Sequence, residues 1–154
     1  MVTVVHFTQA QMSAGIPVFI NIELESGDIT VPSFASGTDI ENGLETSDVL
    51  FKIKANADWR VDTEIGTIIS TPVPNGPATI TNPLTYSRIS YLVSPTQNNV
   101  YGAPVQFTSA LVTVLTGTKS GSDKRFSIKF KITPGFFVDP AAYTIPIIYT
   151  ISPL

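Results

Sequence analysis

The stretch Tyr143-Thr-Ile-Pro-Ile-Ile-Tyr-Thr-Ile151 decides the fold class. Tyr143, Ile145, Ile147, Tyr149 and Ile151 fall on one side of an extended chain, and Thr144, Pro146, Ile148 and Thr150 on the other. Successive side chains of a strand point to opposite faces, so this spacing predicts a strand with one dry face. Its β-branched and aromatic residues suit a pleated, half-buried surface. Pro146 carries no N–H and would cost an interior strand a ladder bond, which predicts an edge strand or a bulge at that point.

Working outward, the same period recurs. Over 124–133, Phe126, Ile128, Phe130 and Ile132 alternate with Ser127, Lys129 and Lys131. Over 17–24, Val18, Ile20, Ile22 and Leu24 alternate with Phe19, Asn21 and Glu23; over 48–54, Val49, Phe51 and Ile53 alternate with Leu50, Lys52 and Lys54. Longer strands are also predicted over 84–93, 105–115 and 142–151, and shorter ones over 2–7, 28–34, 59–65 and 66–71. Turn chemistry separates them, as at Ser26-Gly27-Asp28 and Pro72-Val-Pro-Asn-Gly-Pro77. Residues 116–123 read as a hairpin loop joining two strong strands, and the acidic, aperiodic residues 36–48 as a long loop. No window holds a helical period beyond about two turns. At 154 residues the chain can bury one core. The reading is a single antiparallel, all-β, Ig-like sandwich of about eight to ten strands, with a closed barrel as the alternative. Residues 1–15 form an N-terminal strand and tether, and 16–154 the sandwich domain.

The composition narrows function mainly by exclusion. A net charge of −3 and a pI near 4.9 supply no global attraction to nucleic acid or to an anionic membrane. The absence of cysteine excludes disulfides, thiolate zinc sites and cysteine nucleophiles. His6 is the only histidine, which rules out a multi-histidine metal site and leaves no base for a triad outside the first predicted strand. No Gly-rich phosphate loop follows a strand and opens a helix. The expectation is therefore a non-enzymatic protein that needs no cofactor. No apolar run approaches the ~20 residues of a membrane span. Met1-Val-Thr-Val-Val-His-Phe7 shows no basic segment leading into an apolar one, so no secretory leader is read there.

Three features invite a binding role. The acidic run Asp39-Ile-Glu-Asn-Gly-Leu-Glu-Thr-Ser-Asp48 has oxygens for Ca²⁺ but not the EF-hand spacing, and reads foremost as a solvated loop. Trp59 with Tyr86, Tyr91 and Tyr101 would make a sugar-stacking platform, although Trp59 alternates with Val61 and reads first as a core residue. Lys52, Lys54, Lys129 and Lys131 share the polar faces of two strands and become a polar contact face if those strands are neighbours, with a solvated face as the plainer reading.

The two ends point to assembly. Residues 2–7 are short, β-prone and separated from the first strong strand by a polar tether. Such a strand can complete its own sheet or a neighbour's by main-chain bonding, with alternate side chains filling a groove. Val2, Val4, Val5 and Phe7 are the donor-strand residues of this reading; Tyr143, Ile145, Ile147, Tyr149 and Ile151 border the acceptor groove. A strand that leaves its own subunit makes a head-to-tail contact, which builds a filament.

Phe51-Lys-Ile-Lys-Ala-Asn-Ala-Asp-Trp-Arg-Val61 resembles the strand–turn–Trp strand of many bacterial extracellular Ig-like β-sandwiches. Asp139-Pro-Ala-Ala-Tyr-Thr-Ile-Pro-Ile-Ile-Tyr-Thr-Ile151 is similar to the closing strand of spore-coat-U-type and chaperone–usher-type pilin domains. The resemblance implies a structural subunit, extracellular or at the cell surface, that forms a homo-oligomer, a pilus-like filament or a coat, with donor-strand exchange as the mode. A phage virion structural protein, acting as a capsid decoration or fibre domain, is the alternative. A carbohydrate-binding module that takes a glycan on its aromatics is the second.

Overall fold

The structure is a computed structural model that describes residues 15–26, 29 and 31–154. One sheet is built from β1 (Ile20–Leu24), β2 (Leu44–Glu45), β3 (Val49–Ala55), β6 (Ile89–Ser94), β7 (Val105–Gln106) and β9 (Ser120–Ile132). Its order is β1-β3-β9-β6-β7, and β2 pairs with the far end of β9. The other sheet holds β4 (Trp59–Ile65), β8 (Val112–Gly117) and β11 (Ile147–Pro153) in the order β11-β4-β8. A ribbon of β5 (Ile69–Pro72) and β10 (Ala141–Thr144) continues the β4–β11 pair. All these ladders are antiparallel, and the fold is an all-β sandwich.

The inward residues of the alternating runs meet between the sheets. Val49, Phe51 and Ile53 of β3, Phe126, Ile128 and Phe130 of β9, Ile89 of β6, and Trp59 and Val61 of β4 are all buried. Phe51 stacks on Phe126 with ring centroids 4.9 Å apart, and Tyr149 meets Phe51 edge-on at 4.7 Å. Each such side chain contributes on the order of 1.5–3 kcal/mol by leaving water. One pole of the sandwich carries residues 56–58 and Lys119. The opposite pole carries helix α1 (Gly37–Asn42), a 3-10 turn at Tyr86–Arg88 and the loop after β9.

Several predicted boundaries are corrected. Residues 116–123 are not a hairpin loop: β8 pairs with β4 and β9 with β3, so the chain crosses between sheets there. The crossing is tight because Gly117 lies against the Trp59 ring, where a Cβ would come within 2.2 Å. The run 105–115 divides into β7 and β8. The Phe107 amide still bonds the Ile89 carbonyl (3.0 Å), and then Thr108 turns the chain by accepting from the Ala110 amide (3.3 Å). Residues 84–88 turn before β6, with the Arg88 amide donating to the Thr85 carbonyl (2.9 Å). Among the described residues of 28–34 none is in a strand. Within the supposed loop 36–48, Ser36 and Asp39 close a capping box that starts α1. The strand predicted over 2–7 lies outside the described residues.

Candidate functional site: an open flank between the sheets

β1 ends one sheet and β11 ends the other, and the two edges border the same flank of the sandwich. Pro146 sits between β10 and β11, on this edge. Its carbonyl accepts from the Gly66 amide (2.9 Å), and the pairing slips by one residue across the break. A residue without an N–H is tolerated where the ladder is already interrupted. Beyond it, Leu154 donates its amide to Asp58 (3.0 Å), so the even-numbered residues turn their main chain toward β4. By the period of two, Ile147, Tyr149 and Ile151 turn their amides and carbonyls outward, and no strand among the described residues pairs with that edge.

The side chains along this flank are apolar and incompletely covered. Ile147, Tyr149 and Ile151 pack against the core yet are only half-buried, as are Ile20 and Ile22 of β1. Leu24, on the same face of β1, is 55% exposed. Toward the α1 pole the flank deepens into a cavity of about 260 Å³. Ile89, Phe130 and Ile132 form its floor, Ile29 and Val31 one rim, and Tyr143, Ile145 and Ile147 the other. Thr46 lines it without a loose polar group: its amide donates to the Phe130 carbonyl (2.8 Å), and its hydroxyl accepts from the Phe130 amide (3.1 Å) and donates to the Ser47 carbonyl (2.8 Å). The Tyr143 hydroxyl is likewise engaged, donating to the Asp139 carbonyl (2.7 Å). The flank therefore offers a dry groove and a row of main-chain groups, which is the chemistry of strand binding.

The rim is held from below. Asp139 Oδ2 accepts from the amides of Thr81 (2.7 Å) and Asn82 (2.8 Å), tying residues 81–82 to the entry of β10. The Asn82 and Thr81 amides hold its carboxyl below the usual aspartate range. Burial pushes the Tyr149 phenol well above its ordinary range, and its oxygen finds no hydrogen-bond partner among the described residues.

Of the five residues expected to border a groove, Tyr143, Ile145 and Ile147 line the cavity, while Tyr149 and Ile151 lie further along β11, half-buried against the core. The expected donor residues Val2, Val4, Val5 and Phe7 lie outside the described residues. Lys52, Lys54, Lys129 and Lys131 do share the outer face of two neighbouring strands. It is not a bare basic stripe: Lys52 pairs with Glu23, Lys129 lies 3.6 Å from Asp48 and 4.5 Å above the Tyr101 ring, and Arg125 lies 3.1 Å from Glu25. The Trp59 platform is overturned, because Trp59 is 3% exposed beneath Gly117, Tyr91 is buried, and Lys129 covers Tyr101. Among the described residues no three His, Cys, Asp or Glu side chains gather to hold a metal ion, and Asp39 is spent on capping. No helix among the described residues is long and apolar enough to cross a membrane. Sequence reasoning missed Leu24, Ile29 and Val31. The i, i+2 spacing of Ile29 and Val31 was visible, but nothing local reveals which edge they would face.

No family model matches the chain. No curated protein matches it either. Among solved structures it bears a weak resemblance to the crystal structure of the P pilus rod subunit PapA. That alignment covers 90% of this chain and 92% of the other at 14% identity, with a TM-score of 0.36, too loose a superposition to carry function across.

Proposed function

We propose that the chain is a structural subunit that assembles with copies of itself by accepting an extended strand along β11. The observation that carries this reading is the open flank, where an edge that no described strand pairs with coincides with a dry cavity. An exposed edge beside uncovered apolar residues is unfavourable for an isolated molecule and becomes favourable when a strand fills it. Residues 2–7 of another copy are the proposed occupant. Fully extended they span about 20 Å, close to the length of the seven-residue β11. Val2 and Val4 or Val5 and Phe7 would present one apolar face to the groove. Work outside the cell or on its surface, as a filament or coat, follows as part of the same proposal.

Deleting residues 2–11 tests it. The full chain is expected to form polymers visible by negative-stain electron microscopy, and the deleted chain to remain dispersed while keeping its β-type circular dichroism. Polymers of the same form from the deleted chain would remove strand exchange.

A further inference from the structure

Two apolar features at opposite poles find no use in the strand-docking reading. At the α1 pole, Phe136 and Phe137 are 63% and 85% exposed on the loop after β9. Gly135, at φ 71, starts this projection, with its amide bonded to the Ile40 carbonyl (3.0 Å). At the other pole is a depression of about 450 Å³ walled by Phe19, Ala55, Asn56, Ser120 and the stems of Lys54 and Lys119. Lysine stems present methylene surface while their ammonium groups reach water. The poles are separated by the thirteen residues of β9, roughly 40 Å at about 3.3 Å per residue, so the two features cannot meet within one molecule.

We propose that Phe137 of one copy seats in the depression walled by Phe19, Lys54 and Lys119 of the next, a knob-in-hole contact between opposite poles. The contact deepens the assembly reading and rests on it for its direction. Residues 1–14 precede Gly15, which leads into β1 at the Asn56 pole, where the Phe19 amide donates to Asn56 Oδ1 (2.7 Å). The flank cavity lies in the opposite half, beside Ile132 and Ile147. An arm that leaves the first pole and enters a neighbour's cavity therefore brings unlike poles together. An aromatic knob beside the two lysines that line the depression also gains cation–π attraction. Because knob and hole lie on different surfaces, the contact is head-to-tail rather than self-complementary.

The test replaces Phe137 with p-benzoylphenylalanine in the full chain, mixes isotope-labelled and unlabelled copies, irradiates, and maps crosslinks by mass spectrometry. Crosslinks between copies to Phe19, residues 54–56 or residues 119–121 are expected. Phe137→Ser is expected to slow polymer growth about tenfold or more, as loss of a buried aromatic anchor does. Polymers whose crosslinks map elsewhere overturn the pole contact and leave strand docking standing. Crosslinks at the depression without polymers uphold the contact and remove strand docking. Neither polymers nor crosslinks removes both.

Discussion

Gly117 is the position where one missing carbon decides whether a corner forms. Any side chain there would run into the Trp59 ring, whose Cζ2 lies 2.2 Å from the place a Cβ would take. Trp59 is buried and its strand is central in its sheet, so it has little room to retreat. Gly117→Ala is expected to cost about 3 kcal/mol or more, at the upper end of overpacking effects. Trp59 is the only tryptophan, so its fluorescence reports the change directly in a urea titration. A midpoint equal to that of the parent chain would show that the crossing yields. Phe51, Phe126 and Tyr149 make the opposite point about residues: their parity in the sequence already put each on the dry face of its strand, and in the fold they meet ring against ring.

At the scale of elements, alternation made most strands legible, including β3 and the second half of β9, where the inward residues recur at every second position. Pairing was less legible. Alternation says which face of a strand is buried but not which sheet the strand enters, so the β8–β9 corner passed for a hairpin. The break at Pro146 could be foreseen because a missing N–H is a local property. The rim formed by Ile29 and Val31 could not, since it depends on what lies opposite. Asp139 gives the β10 end of the flank a pH dependence. A carboxyl whose folded-state pKa lies below its unfolded one adds stability that is complete above the unfolded value and lost as pH falls through the folded one. Asp139 has its pKa lowered by the Asn82 and Thr81 amides, so its contribution is present at neutral pH and fades in acid, below about pH 4. Asp139→Asn is expected to melt below the parent chain at pH 7, with the two curves converging as the pH falls below the ordinary aspartate range. Thermal melts across that range check it, and a constant gap would remove the carboxylate from the account.

The whole molecule carries few charges and arranges many of them in pairs on the outer face of β3 and β9. Glu23, Glu25, Lys52 and Arg125 have side chains between 22% and 53% exposed, where solvent screening leaves an ion pair little to add to stability. Raising NaCl to about 1 M is therefore expected to lower the melting temperature by less than about 5 °C. A fall well beyond that would mean that ion pairs rather than the apolar core hold the sheets. The pairing of β11 with β4 also sets a timetable. Its partner residues, such as Val61 and Ile151, lie far apart in the chain. At 5–20 residues per second, a ribosome leaves the β11 side of β4 bare for on the order of ten seconds. The border of the open flank is the last of the described strands to be made, so a newly synthesised chain passes through a period with an uncovered core and two unclaimed sheet edges.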